Sequence, residues 1–254
     1  MDFNEFHNYI YKEFNLNLNA YKPEQLNRRI KSLMTRRGIQ NLDEYKKVLL
    51  VNEEEREKFL DFITINVTEF FRNPDLFNEL KKVIKEYSKE QMNFKIWSAA
   101  CSIGCEPYSI AMLLNEINSN IRVNILATDI DNNILKRARL GEYLETEMKN
   151  VNETFKSRYF KYSNNKYYIS EKIKSEVTFK KHDLILDNYE NNFDLIVCRN
   201  AVIYFKNDVK NDIFNKFSKS LKVGGLLFVG ATESIYNYKD FNLEKVSTFI
   251  YKRV

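Results

Sequence analysis

The sequence predicts an α/β protein: a mostly parallel sheet flanked by helices, with a small all-helical domain in front and a short antiparallel insertion. Three observations predict it. From about Lys95 onward, short apolar runs alternate with amphipathic helical patterns, as strand-helix-strand units do. Before that point there is no strand pattern. One Tyr-rich polar stretch, Tyr159 to Ile173, breaks the alternation.

In the first part, Phe3, Phe6, Ile10 and Phe14 recur at three- and four-residue spacing, one stripe of an amphipathic helix. Pro23 suits the first turn of a second helix, whose apolar face is Leu26, Ile30, Leu33 and Met34. Gly38 is placed to stop it. Leu42, Tyr45, Val48 and Leu49 mark a third helix, and Phe59, Leu60 and Ile63 a fourth. Residues 1–75 are read as the helical domain and 76–254 as the α/β domain, with a joining helix over Asp75 to Lys89.

In the second part, Phe94–Ala99, Val123–Thr128, Val177–Lys180, Phe193–Cys198 and Leu226–Val229 read as strands. Helices are predicted over Pro107–Ile117 and Asn132–Arg139, the latter ended by Gly141. A further helix carries Val209, Ile213, Phe214, Phe217 and Leu221 on one face and ends at Lys222-Val223-Gly224-Gly225. Lys245 to Lys252 reads as one last strand. The insertion, about residues 155–176, turns at Ser163-Asn164-Asn165.

Composition narrows the class. The 254 residues hold one buried α/β domain and a small extra one. Hydrophobic residues at 44% and charged residues at 30% are a globular balance. No apolar run approaches the roughly 20 residues of a membrane span. The N-terminus has no signal-peptide core, so a cytoplasmic protein without membrane insertion is expected. Three Cys suggest free thiols in a reducing compartment. Two His and no recognisable ligand spacing argue against zinc, so no metal is expected. The net charge of +5 suits an acidic partner without requiring nucleic acid.

In open α/β sheets, ligands bind beyond the carboxyl ends of the strands. Three segments end strands with polar residues. WSAACSIGCEPYSIAM, Trp97 to Met112, has small side chains at Ser98, Ala99, Ala100, Ser102 and Gly104, where backbone can approach a ligand closely. ATDID, Ala127 to Asp131, places Asp129 about 25 residues later, the separation at which an acid meets ribose hydroxyls in Rossmann-like sites. FDLIVCRNAVIYF, Phe193 to Phe205, ends its apolar strand in Arg199-Asn200. Taken alone, an acid at a strand end is as readily a helix cap. The spacing G-x-G-x-x-G is absent, which disfavours a nicotinamide cofactor; a cofactor without a pyrophosphate does not need it.

These segments, with ITINVTEFFRNPDLF (Ile63 to Phe77), LKRARLGEY (Leu135 to Tyr143) and KVGGLLFVGATE (Lys222 to Glu233), resemble the CheR chemoreceptor glutamate O-methyltransferases in order and over essentially the whole chain. The resemblance implies a class I S-adenosylmethionine-dependent methyltransferase, Rossmann-like, with an all-helical N-terminal domain and an inserted antiparallel β-subdomain. It implies methyl transfer to glutamate carboxylates of chemoreceptors, giving methyl esters and S-adenosylhomocysteine, in chemotactic adaptation. Carried over residue by residue, it places Asn66, Thr68, Arg72, Glu106, Asp129, Asp183, Leu184, Arg199 and Asn200 at the cofactor. Arg72 and Tyr204 match the pair that orients the substrate carboxylate or the methyl group, by a charge-assisted contact in the case of Arg72.

Two positions depart from the family pattern. Cys105 stands where the first of two glutamates is usual, and Asp183 where Asn is usual. Arg28, Arg29, Lys31, Arg36 and Arg37 crowd the second helix and its end. Such a run is more often a solvated face; the family's helical domain offers a basic helix to acidic receptor sites. The link around the hairpin is short and lacks glycine, so dependence on a receptor C-terminal pentapeptide is not expected. The protein is expected to act as a monomer and to retain its product. Two other readings compete: a methyltransferase of another acceptor such as RNA, and a non-catalytic cofactor-binding signalling module.

Overall fold

The structure is a computed structural model; it describes residues 1–64, 68–87, 93–118 and 121–254. The chain divides into two compact units, residues 1–66 with 204–213, and residues 67–203 with 214–254.

The first unit contains α1 (Phe3–Phe14), α2 (Pro23–Arg36), α3 (Leu42–Val51) and α4 (Glu53–Thr64). Asp2 and Glu5 form a capping box on α1. Gly38 ends α2 as expected: its φ is +70°, and Ile39 N–H reaches Met34 carbonyl at 3.0 Å while Gly38 N–H reaches Thr35 carbonyl at 3.1 Å. That pair of bonds is a Schellman motif, which needs the left-handed residue glycine supplies. The predicted apolar stripes meet in one core, with Phe6, Tyr45 and Phe59 in mutual ring contact at 5.8–6.3 Å. Tyr21 bridges to Phe205, whose ring it meets edge-on at 4.8 Å.

The second unit begins with α5 (Pro74–Tyr87) and holds a seven-stranded sheet. In chain order the remaining elements are β1 (Asn93–Ala99), α6 (Cys105–Ile117), β2 (Arg122–Asp129), α7 (Asn132–Leu140), β3 (Glu142–Tyr143), α8 (Glu153–Tyr159), β4 (Phe160–Ser163), β5 (Lys166–Ile169), α9 (Glu171–Lys174), β6 (Val177–Lys181), β7 (Phe193–Cys198), α10 (Asn207–Ser220, of which residues 207–213 fall in the first unit), β8 (Leu221–Val229), β9 (Leu243–Lys245) and β10 (Ile250–Arg253). The sheet order is β6-β2-β1-β7-β8-β10-β9, parallel through β8 and antiparallel beyond. Chain order runs one way from β1 to β2 and β6, and the other way from β7. The switch point is therefore the gap between the carboxyl ends of β1 and β7, where Ala99 pairs with Cys198.

Three predicted elements change. The helix α10 ends at Ser220, and Lys222 to Gly225 belong to β8, not to the helix end. Phe193 pairs with Leu221 but Leu195 with Leu226, so the glycines form a bulge. Gly224 takes φ +82°, and a Cβ on Gly225 would stand 2.9 Å from Lys222 carbonyl. The single C-terminal strand is a hairpin of β9 and β10, which bends back through residues 246–249. The insertion gains a third strand, since β3 pairs with β5. Its turn, Asn164-Asn165, has φ of 51° and 58°, as a two-residue hairpin turn requires and Asn tolerates.

Candidate functional site

The loop after β1 is built from unusual backbone. Ala100 and Ser102 take φ of +62° and +50°, and Gly104 takes +87°. Phe71, Asn73 and Asn200 are also left-handed. Non-glycine residues rarely hold this conformation, and they persist where surrounding bonds over-determine them. Here those bonds are visible. Cys101 N–H binds Thr128 carbonyl at 2.8 Å, and Phe71 N–H binds the Ser109 hydroxyl at 3.0 Å. Gly104 has a packing reason as well: a Cβ would lie 3.1–3.2 Å from Phe179, Ala138 and Tyr108. This small residue admits neighbouring side chains of the protein itself, where the sequence pattern alone points to a ligand.

Asp129 ends β2 and is 6% exposed. One of its oxygens accepts Ser102 N–H at 2.8 Å and the other Asp131 N–H at 3.1 Å. Burial pushes its carboxyl up to about 6, with the backbone bonds working against the rise. It is therefore mostly ionised at neutral pH, and each oxygen has a lone pair left. The helix cap of α7 is a different residue: Asp131 accepts Asn133 and Ile134 N–H. That releases Asp129 from the capping role that an acid at a strand end often has.

Glu106, in the first turn of α6, has a side chain 12% exposed. It accepts the Ser98 hydroxyl at 2.9 Å and faces Arg199 at 3.6 Å. Burial raises its carboxyl, and the Arg199 guanidinium opposes that. Arg199 is itself committed to the protein. It donates to Arg72 carbonyl at 2.7 Å and to the Asn73 side chain at 3.0 Å, and lies over the rings of Phe77 and Phe228 at 5.3 and 5.1 Å. Its Nε is buried with no partner among the described residues. The structure thus brings together four of the predicted site residues: Arg72, Glu106, Arg199 and, one residue on, Asn200.

Asp183 and Leu184 follow β6. Asp183 accepts Ile185 N–H at 2.7 Å and Leu186 N–H at 3.3 Å, so its carboxylate braces its own turn. Burial raises it. Leu184 is buried. Thr68 and Arg72 are half-buried in the segment before α5. Asn66 lies outside the described residues. Tyr204 sits in a short helical turn, Val202–Tyr204, and its carbonyl accepts Lys22 N–H at 2.9 Å. Of the basic cluster, Arg28, Lys31, Arg36 and Arg37 are exposed. Arg29 is half-buried; it donates to Phe62 carbonyl and stacks on the Phe62 ring. Arg37 pairs with Glu55 at 3.1 Å. Cys105, like Cys101 and Cys198, is a buried free thiol raised by burial. No group of three His, Cys, Asp or Glu placed to hold a metal occurs among the described residues.

One residue that the sequence pattern does not single out is Glu233, after β8. It is 5% exposed and accepts four backbone N–H groups: Asn200 at 2.6 Å, and Ala201, Val202 and Gly230 at 3.0 Å each. The only hint in the sequence is its place at the close of KVGGLLFVGATE.

The residues fit S-adenosylmethionine. A buried, ionised carboxylate with spare acceptor capacity suits a vicinal diol. The Ser102 hydroxyl in the same loop is buried and without a partner among the described residues. The loop has no glycine-rich phosphate cradle, and this cofactor has no phosphate.

Comparison with known proteins agrees. The CheR methyltransferase SAM binding domain matches residues 66–250, and the CheR methyltransferase all-alpha domain matches residues 1–64. A chemotaxis protein methyltransferase of Listeria monocytogenes is 38% identical over 252 residues, 98% of this chain and 96% of its own. One of Borreliella burgdorferi is 36% identical, over 96% of this chain and 91% of its own. One of Salmonella typhimurium is 30% identical, over 92% and 84%. Among solved structures, a TehB-like SAM-dependent methyltransferase from Corynebacterium glutamicum overlaps 68% of this chain and 84% of its own at 16% identity, with a TM-score of 0.39, too low to weigh in the assignment. The resemblance read from the motifs holds along nearly the full chain, which belongs to the CheR methyltransferase family and is an S-adenosylmethionine-dependent methyltransferase.

Proposed function

We propose that the protein methylates side-chain glutamates of a chemoreceptor cytoplasmic domain, and that Asp129, Glu106, Asn200 and the 68–72 segment hold the cofactor. The observation that carries the site assignment is the buried Asp129 carboxylate at the end of β2, beside the loop after β1 whose Ala100 and Ser102 are left-handed. The acceptor is taken from the relatives, which are named chemotaxis protein methyltransferases. When bound, the cofactor supplies an activated methyl group on a sulfonium. Asp129 accepts its ribose hydroxyls. Asp183 and Leu184 would lie beside its adenine, with Leu184 contributing apolar surface. Thr68 completes the wall from the segment before α5, and Asn66, outside the described residues, is assigned to the cofactor by the resemblance alone.

The acceptor chemistry asks little of the protein. A glutamate side chain is already ionised at neutral pH, so no strong base is required. Arg72 and Tyr204 would orient that carboxylate and help exclude water from it. A carboxylate acceptor and a sulfonium donor carry opposite charges, so no oxyanion hole would be needed. Arg28, Arg29, Lys31, Arg36 and Arg37 recognise the acidic receptor helix. The enzyme works as a monomer on protein, not nucleic acid. It does not need a receptor C-terminal pentapeptide: the insertion offers outer strands of only four and two residues for strand addition.

One experiment covers the acceptor and the tether. Methyl-labelled cofactor is incubated with a receptor cytoplasmic fragment, with and without its last five residues, and with RNA. Base-labile label on both receptor forms and none on RNA is expected. Label on RNA, or binding without turnover, overturns the acceptor; loss of transfer with the truncated fragment alone overturns only the independence from the tether.

A further inference from the structure

We propose that Glu233 is a positioning residue of the cofactor site, holding the turn that follows β7 in the shape that presents Asn200. The turn needs an anion. Asn200 is left-handed at φ +60°, and the successive N–H groups of Asn200, Ala201 and Val202 converge on one point, as in a backbone nest. Left empty, such a nest crowds three positive dipole ends in a buried place. Glu233 fills it from a different strand. Its Oε1 takes Ala201 and Val202, and its Oε2 takes Asn200 and Gly230. One side chain therefore clamps the end of β7 to the end of β8 at the carboxyl edge of the sheet.

Gly230 is the other half of the clamp. A Cβ there would lie 2.3 Å from Glu233 Oε2 and 3.2 Å from Asn200 N. Its φ is outside the left-handed region, so alanine suits the local conformation; the carboxylate has to move aside, and the Asn200 backbone has to give by a few tenths of an ångström. Arg199, which holds Arg72 carbonyl, Asn73 and Glu106, immediately precedes the clamped turn. The Asn200 side-chain amide makes no hydrogen bond among the described residues, so backbone geometry alone aims it. Tyr204 follows two residues after Val202. Glu233 touches neither reactant in this scheme; it sets where two segments of the crevice stand.

The test is a double-mutant cycle read by binding. S-adenosylhomocysteine affinity is measured by calorimetry for Glu233→Gln, Gly230→Ala and the double variant, well below their melting points. Glu233→Gln keeps the shape but puts an amide NH2 against two of the four N–H groups. Each single variant is expected to weaken binding about tenfold, and the double variant no more than the weaker single, because both break one clamp. Ser218→Ala, which removes a buried hydroxyl bond to Phe241 carbonyl elsewhere in the unit, is expected to lower the melting point and leave affinity unchanged. Unchanged affinity in both single variants, additive losses in the double, or an equal loss in Ser218→Ala would each overturn the role. Should Glu233→Gln not fold, Gly230→Ala against Ser218→Ala decides alone. The role presupposes that the crevice holds the cofactor, so Asp129→Ala is measured beside them. Lost binding there with intact binding in the clamp variants removes only Glu233; intact binding in Asp129→Ala removes the reading of the crevice itself.

Discussion

Five cations crowd α2 and its end, and four ionisable side chains, Asp129, Glu106, Arg199 and Glu233, crowd the strand ends of the second unit. The two groups carry charge differently. On α2, four of the five side chains are exposed and the helix beneath them is ordinary. At the strand ends every charge is nearly or fully buried and bound to named backbone or side-chain groups, and the backbone is left-handed at Ala100, Ser102 and Asn200. In the proposed reading the first region acts by a field that salt screens. The second acts by geometry that the removal of a single bond disturbs. Substitutions should therefore cost fold and cofactor affinity at the strand ends, and neither on most of α2.

The largest effect is expected at Arg199. Arg199→Ala leaves Glu106 without its counter-charge, removes a donor from Arg72 carbonyl, and leaves a gap over the rings of Phe77 and Phe228. Removing one partner of a buried pair costs about 3–5 kcal/mol. Urea unfolding measures it. Adding Glu106→Gln to Arg199→Ala should recover part of the loss, because the orphaned charge is then gone; a fully additive double variant would show that the two side chains do not interact.

Asp129 comes next and gives the comparison a pH axis. Its carboxyl stands at about 6 in the folded chain, above about 3.9 in an unfolded one. Between those values the folded state holds more protons, so stability falls as pH rises from about 4 to about 6 and is level above. The full contribution is about 3 kcal/mol as an upper bound. Cofactor affinity is expected to move the opposite way as Asp129 ionises, since in the proposed site the ribose hydroxyls donate to the ionised form. Asp129→Asn should flatten both slopes and weaken S-adenosylhomocysteine binding on the order of a hundredfold. Thermal melts without ligand and calorimetry with it, at a series of pH values from about 4 to about 7.5, bracket the titration and check the two signs. Parallel slopes in the variant and the parent would assign the titration to another group.

The same comparison explains what can be read from the sequence. Phe193–Cys198 is legible to the residue, because a strand buried on both sides is a continuous apolar run. Gly38 is legible because its chemistry is local, within one helix end. Asp129 is legible as an acid at a strand end. Its neighbour Asp131, which caps α7, cannot be told from it by type alone. The bulge in β8 escapes because Gly224-Gly225 after an amphipathic run reads equally as a helix stop. Glu233 escapes for a deeper reason. Three of its partners are backbone N–H groups more than 30 residues away, and backbone donors leave no mark on residue type. The turn of Arg199 toward Arg72 and Asn73 is likewise a long-range packing outcome, across 127 and 126 residues.

The smallest effects should appear on α2, and they divide the basic run itself. Arg29 is half-buried, bonded to Phe62 carbonyl and stacked on its ring, so it behaves like the strand-end residues. Arg29→Ala should cost about 1–3 kcal/mol in urea unfolding, because it removes a charge-assisted bond and a cation–π interaction together. Arg28 and Lys31 are exposed, and their substitution by Ala should stay within about 0.5 kcal/mol. Their effect belongs in the receptor reaction instead. The Arg28→Ala/Lys31→Ala double variant should lower kcat/KM for the receptor fragment several-fold at low salt, with the gap closing as salt rises, while S-adenosylhomocysteine affinity is unchanged. An exposed field and a buried scaffold then separate within one helix. Equal receptor kinetics in the double variant and the parent at low salt would leave the exposed cations as solvated surface and Arg29 as a structural residue only.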